Sequence, residues 1–290
     1  MSLPFVETRY LSAKASFQES HAVILGCPFD GTASFRPGAR FGPSAIRRAS
    51  WGIETYSPYR KKDLHAVPVH DMGDLELPLG DKKKSFEWIR KALQEILRSK
   101  KIPILLGGDH LISLPIVEEV LKIYPDLHLI QIDAHADMRE DYLGETLSHS
   151  TVMRKIIDSL GQRSLSQIGV RSGTEEEFQW AKEAKSIVSL NASSLRNLAR
   201  RLKDKPVYLS LDLDVFDPSL LPGVGTPEPG GLTFQDFLSL LKSLESLHVI
   251  GFDIVELTPD YDPTQISSVT ASVILREMIL SFVHPIVSLI

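Results

Sequence analysis

Leu129-Ile130-Gln131-Ile132-Asp133-Ala134-His135-Ala136-Asp137 is the stretch that decides how this chain is read. An apolar run with β-strand character leads straight into three metal-capable side chains spaced two apart. Successive strand residues point to opposite faces, so the i, i+2 spacing sets Asp133 and His135 on one side. A buried strand ending in Asp-x-His-x-Asp carries carboxylates and an imidazole to the edge of its sheet, where a cation could hold them.

Outward from there, strands and helices alternate. Residues 21–27 read as a first buried strand, followed by a Gly/Pro-rich loop over 29–43. Pro43 suits the first turn of a helix that continues through Trp51. Residues 66–70 read as a short strand, with Asp71-Met72-Gly73-Asp74 as a turn after it. Residues 84–100 carry Phe86, Ile89, Leu93, Ile96 and Leu97 at helical spacing. A strand over 102–106 breaks at Gly107-Gly108-Asp109-His110, and a helix over 111–124 follows. After the opening strand come a loop (138–148), helix (150–160), strand (167–170), helix (174–185), strand (186–190) and helix (192–203). A strand over 206–213 ends in Asp212-Leu213-Asp214, and an irregular loop spans 217–231. Thr233 is placed to cap a helix reaching Leu247. The last strand, 248–255, ends at Glu256, and a final helix covers 267–282.

No repeat or linker interrupts this pattern, so residues 1–290 are expected to form one catalytic domain. Near-continuous apolar strands alternating with helices predict an α/β fold, a mostly parallel central sheet with helices on both faces.

Composition narrows the function. The net charge is −5 and no basic block exceeds three residues, which argues against nucleic acid as a partner. Cys27 is the single cysteine, so no intrachain disulfide and no thiolate metal cage can form. Residues 1–20 lack the basic start and apolar core of a secretory signal. The apolar run over 278–290 falls short of the roughly 20 residues a membrane span needs and includes His284 and Pro285. It reads as a buried or subunit-contacting end. A soluble, cytoplasmic protein that does not enter membranes is expected.

Four separate strand ends carry metal-type groups: His110, then Asp133, His135 and Asp137, then Asp212 and Asp214, then Glu256. In open parallel sheets, ligand sites form beyond the carboxyl ends of the strands. Four aspartates gathered there would repel one another unless protonated or neutralised, and two divalent cations would neutralise them. An oxygen-rich set with two imidazoles and no thiolate favours Mn²⁺, with Zn²⁺, Co²⁺ and Fe²⁺ left open. Such a pair makes water acidic near neutral pH. Glu256 is less obviously a ligand and could instead meet a cationic substrate.

These motifs (Gly107-Gly108-Asp109-His110, Asp133-Ala134-His135-Ala136-Asp137, residues 210–218 and Phe252-Asp253-Ile254-Val255-Glu256) resemble, in order and spacing, the ureohydrolase (arginase/agmatinase) family. The resemblance covers nearly the whole chain and implies the three-layer α/β/α arginase-like fold. It implies two Mn²⁺ per subunit, one held by His110, Asp133, Asp137 and Asp212, the other by Asp133, His135, Asp212 and Asp214. It makes Glu256 the guanidinium-binding acid and His149 a proton shuttle, with Asp137 passing a proton to the departing amine. The implied reaction is attack of a bridging hydroxide on a guanidinium carbon, giving urea and an amine. Trimers or hexamers are implied as well.

For the substrate, residues 138–148 and 34–43 look most like the bacterial agmatinase branch. Glu140, Asp141 and Glu145 would suit the cationic tail of agmatine, with Arg139 cutting against it. Aminopropylagmatine, guanidinobutyrate, arginine and formiminoglutamate are the other substrates considered. A two-metal phosphoesterase is disfavoured because no Arg or Lys stands in the metal motifs and Glu256 would repel phosphate. An inactive metal-binding scaffold is disfavoured because all six ligand positions and His149 are present. His21, His65, His70, His128, His248 and His284 read as structural or solvated, Cys27 as a buried thiol, and Asp71 and Asp74 as turn-forming. Gly223-Val224-Gly225 lacks the context of a dinucleotide site.

Overall fold

A computed structural model describes residues 8–283. His284 and the end of the apolar C-terminal run lie outside the described residues. The main sheet is built from β1 (Ala22–Cys27), β4 (Val69–Asp74), β5 (Ile102–Gly107), β6 (His128–Ile132), β7 (Leu165–Ile168), β8 (Ile187–Val188), β9 (Pro206–Asp212) and β10 (His248–Val255). A small antiparallel pair, β2 (Tyr56–Ser57) and β3 (Lys62–Asp63), stands apart from it. The eight strands run β4-β1-β5-β10-β9-β6-β7-β8, and every neighbouring pair is parallel.

Alternation along the strands divides the apolar side chains between two cores. Ile24, Ile104, Leu106, Ile130 and Ile132 face one, under α1 (Gly42–Ser50), α6 (Ala192–Arg201), α7 (Phe234–Leu244) and α8 (Ile266–Phe282). Val23, Leu25, Leu105 and Leu129 face the other, under α2 (Lys82–Arg98), α3 (Ser113–Ile123) and α4 (Val152–Leu160). Trp180 of α5 (Glu175–Ala184) packs on that second core. The result is a three-layer α/β/α sandwich of the expected class. Helix starts follow capping chemistry: Asp81 accepts from Lys84 N–H, and Thr233 with Asp236 forms a capping box on α7.

The strand order positions the site. β5 and β6 are consecutive along the main sheet's chain path but are separated in space by β10 and β9. The registers Val255↔Asp212, Ile132↔Leu211 and Ile254↔Leu106 bring the ends of β5, β10, β9 and β6 to one level. Those are the four strands whose ends carry His110, Glu256, Asp212 and Asp133.

Two local expectations are corrected. The strand placed over 66–70 runs from Val69 to Asp74, so Asp71 to Asp74 form its second half rather than a turn. Ile24↔Asp71 and Gly26↔Asp74 pair with β1, and buried Arg47 of α1 neutralises both acids. Strand β6 also stops at Ile132. Asp133, His135 and Asp137 therefore converge through a loop, not through strand alternation.

Candidate metal centre

Each group reaches the cleft by its own local device. His110 follows Asp109, whose carboxylate caps the turn by accepting from Leu111 N–H at 2.9 Å. The turn sits so close to residue 29 that a Cβ on Gly108 would stand 1.7 Å from the Phe29 carbonyl oxygen, so only glycine fits. On β9, Asp212 Oδ1 accepts from Asp214 N–H at 2.8 Å, folding the second acid back beside the first. Asp137 and Glu256 both hold left-handed backbone, with φ of 55° and 67°. Such strain in non-glycine residues needs support from the surroundings. For Asp137 that support includes Met153 N–H on its carbonyl at 3.0 Å, and Glu177 Oε1 holding Met138 N–H at 2.8 Å.

The six residues expected as ligands meet at one point. His110 Nδ1 lies 3.1 Å from Asp133 Oδ2, 3.1 Å from Asp137 Oδ2 and 3.2 Å from Asp212 Oδ2. His135 Nδ1 lies 2.8 Å from Asp214 Oδ2 and 3.7 Å from Asp133 Oδ1. Ligand atoms of His110, Asp133 and Asp212 fall within 4.8 Å of one another, and so do those of Asp133, His135 and Asp214. Asp133 belongs to both groups, which is the geometry a shared ligand requires.

A divalent pair fits these residues. His110 Nδ1 is fully buried yet makes no hydrogen bond of acceptable geometry with the three carboxylates around it. Its other nitrogen, Nε2, is 2.9 Å from Ser210 Oγ, which itself donates to Asp253 Oδ1 at 2.7 Å. Ser210 therefore accepts from Nε2–H, which leaves Nδ1 as the nitrogen facing the acids. Charge leads to the same place. Burial, then repulsion from Asp133, pushes Asp137 up to about 7 against the pull of His110 and His135. Burial, Asp214 and Asp133 drive Asp212 well above the usual carboxylate range. Burial opposes the charged form of His135, but Asp214 and Asp133 hold it up at about 11. The cluster takes up protons in place of positive charge that cations would supply.

Above the cluster is a cleft of about 170 Å³ whose walls include Ser34, Arg139, Tyr142, His149, Ser172, Thr226 and Glu256. One oxygen of Glu256 accepts from His110 N–H at 2.7 Å, and the other lies beside Gly225, where a Cβ would come within 3.0 Å. Burial and the neighbouring Asp109 push the Glu256 carboxyl well up. The ring nitrogens of His149 stand 3.3 Å from Thr32 Oγ1 and 3.3 Å from Ser34 Oγ, with the Tyr142 ring edge-on to the imidazole.

The three loop acids do not reach this cleft. Glu140 pairs with Arg154 at 2.9 Å, Glu145 pairs with Lys82 at 2.5 Å, and Asp141 accepts from Gly144 N–H at 2.9 Å. The same loop presents Arg139 and Tyr142 instead, with the guanidinium 4.8 Å from the ring centroid. Of the histidines set aside, His128 is buried against Ser166, His70 meets the Ala15 carbonyl, and His248 is exposed. Cys27 is buried, and burial, Asp74 and Asp253 raise its thiol far out of the reactive range. Sequence reasoning missed the buried polar groups under the site: Gln131, Gln167, Ser210 and Asp253. Their one signal was a polar residue inside an otherwise apolar strand.

Residues 20–281 match the family model described as the arginase family. The agmatinase of Halalkalibacterium halodurans is 43% identical over 278 residues, covering 94% of this chain and 96% of that protein. The agmatinase of Bacillus subtilis is 41% identical over 278 residues, with the same coverage of 94% and 96%. A solved protein structure from Clostridium difficile has a TM-score of 0.89 at 41% identity, covering 92% of this chain and 99% of that one. Sequence and fold agree over nearly the whole length, and the chain belongs to the arginase family.

Proposed function

We propose that this member of the family hydrolyses agmatine to putrescine and urea with the help of two Mn²⁺ ions. The observation that carries the reading is the orphaned His110 Nδ1 ringed by three carboxylates, directly beside Glu256 in the cleft. Hydrolysis of a guanidino compound is the chemistry of the class. Agmatine is supported by relatives named agmatinase at 41% and 43% identity.

His110, Asp133, Asp137 and Asp212 would hold one ion and Asp133, His135, Asp212 and Asp214 the other. When bound, the pair supplies Lewis acidity that makes water a nucleophile near neutral pH. Glu256 accepts the guanidinium N–H groups through its cleft-facing oxygen and sets the carbon for attack. The oxygen of water adds to that carbon, and the bond from carbon to the alkyl-bearing nitrogen breaks. Asp137 takes the proton from water and delivers it to the departing amine, leaving urea. His149, between Thr32 and Ser34 at the cleft wall, exchanges protons with solvent.

A second reading has an observation of its own. Arg139 lines the cleft while the loop acids turn away, which suits a guanidino substrate with a carboxylate tail such as guanidinobutyrate. One assay separates them: urea release by Mn²⁺-loaded protein from agmatine, guanidinobutyrate, aminopropylagmatine and arginine, against a chelated control. Agmatine turned over best supports the first reading, and guanidinobutyrate turned over best supports the second. No urea from any of them sinks the ureohydrolase assignment.

The chain is further taken to act as one catalytic domain over residues 1–290, as a cytoplasmic homo-oligomer. The lone buried Cys27 supports a reducing compartment. The family resemblance supports a trimer or hexamer, which light scattering would resolve. Among the described residues no helix is long and apolar enough to cross a membrane.

A further inference from the structure

Directly beneath the 133–137 loop lie two glutamines that the proposed reaction does not use. Gln131 of β6 and Gln167 of β7 are register partners, both fully buried, in strands otherwise made largely of Leu and Ile. Burying a primary amide is costly unless its polar atoms find partners.

Here the partners are present. Gln131 Nε2 donates to Asp133 Oδ2 at 2.7 Å and to the His135 carbonyl at 3.1 Å. Its Oε1 accepts from Gln167 Nε2 at 2.7 Å. Gln167 Nε2 also donates to the Ala136 carbonyl at 2.9 Å, and its Oε1 accepts from Ser186 Oγ at 2.7 Å. Each amide nitrogen faces only acceptors, so neither amide can be flipped without breaking the chain. Among the described residues no backbone N–H donates to the His135 or Ala136 carbonyls, so the glutamines supply what a strand ladder would have supplied. Asp133 is thereby clamped on both oxygens, by Gln131 on Oδ2 and by His135 N–H on Oδ1 at 2.6 Å.

We infer that Gln131 and Gln167 are positioning residues for the metal centre. Gln131 fixes the rotation of Asp133, the acid common to both ligand groups. Gln167 acts through Gln131 and through the Ala136 carbonyl, which sets the path of the loop carrying His135 and Asp137. Groups that orient ligands in this way typically change metal affinity about 10- to 100-fold when removed.

The inference rests on the two-metal reading, and the test separates the two. Mn²⁺ affinity and stoichiometry are measured by chelator competition on wild-type protein and on Gln131→Met, Gln167→Met and the double variant. Melting temperatures are taken with and without Mn²⁺. Gln131→Met is expected to weaken Mn²⁺ binding about 10- to 100-fold. Gln167→Met should weaken it less, and the double variant by less than the product of the two, because one residue works through the other. Ser57→Ala, which loses a buried hydrogen bond to Glu277 away from the cleft, should lower the melting temperature and leave Mn²⁺ affinity alone. If Gln131→Met does not fold, Gln131→Asn, too short to reach Asp133, carries the same expectation. Wild-type binding with variants within twofold of it overturns the inference alone. Wild-type protein that takes up no Mn²⁺ overturns the metal reading and the inference with it.

Discussion

The backbone N–H of His110 donates to Glu256 Oε1 across 2.7 Å, tying the turn after β5 to the end of β10. Only the second carboxylate oxygen is left to meet a substrate. In Glu256→Gln, the amide oxygen can keep accepting from His110 while the new NH₂ turns toward the guanidinium, donor against donor. Losing a hydrogen bond to a charged group costs about 1.5–3 kcal/mol, so kcat/KM should fall roughly 10- to 150-fold. Metal content, read by atomic absorption, should stay at the wild-type value. Metal loss in this variant would instead make Glu256 a ligand.

Metal removal should be readable as proton traffic. In the metal-free cluster His135 is held at about 11 and Asp137 at about 7, with Asp212 well above its usual range. A cation must displace those protons, so Mn²⁺ affinity should rise with pH through neutrality. Calorimetric titration at pH 7.5 in buffers of different ionisation enthalpy should show release of about one proton or more per subunit, from His135 and from His110, which, against burial, Asp133, Asp137 and Asp212 also hold well above its ordinary value. Binding without proton release would contradict the crowded, metal-free cluster as drawn.

What could be read from residues alone follows a physical divide. The apolar runs of β5, β6, β9 and β10 are nearly continuous, so buried parallel strands, and the site at their ends, were legible. Only the start of β4 was, because Asp71 and Asp74 look like turn formers until Arg47, from a helix elsewhere in the chain, neutralises them in place. The gathering of the Asp-x-His-x-Asp loop with His110, Asp212 and Asp214 was legible, but the loop's geometry was not, since strand alternation ends at Ile132. The loop acids misled because Glu140 and Glu145 have nearer cations in Arg154 and Lys82, which no local pattern shows.

The Arg47 cluster makes a prediction about stability alone. Arg47 is almost fully buried, and its Nε and Nη2 meet Asp71 at 2.8 and 2.9 Å while Nη1 meets Asp74. Removing one partner of such a pair strands a buried charge and costs about 3–5 kcal/mol. Arg47→Met should show that loss in urea unfolding, with turnover per folded molecule unchanged because Arg47 lines no part of the cleft. Changing Asp71 and Asp74 to Asn as well should recover part of the stability. No recovery would mean that Arg47 acts through packing of its stem.

His128 gives the pH dependence of the fold. Its Nε2 meets Ser166 Oγ at 2.9 Å inside the sheet edge, and Arg201 donates to the same hydroxyl at 3.0 Å. Burial, with Arg201 and Lys205 nearby, pushes the imidazole down to about 3. An unfolded histidine titrates near 6.5. Between those values the unfolded chain binds a proton that the folded chain refuses, so unfolding free energy falls as pH falls. The contribution is therefore complete above about pH 6.5 and is lost progressively as pH drops toward 3, at up to about 1.4 kcal/mol per unit. His128→Gln keeps a hydrogen-bond partner for Ser166 and removes the titration. Its stability, measured by urea unfolding at pH 7 and pH 5, should fall by about 1–2 kcal/mol less than that of the wild type. The acids and imidazoles of the metal cluster titrate in both proteins and cancel in the difference, so parallel curves would show that His128 carries no part of the acid sensitivity.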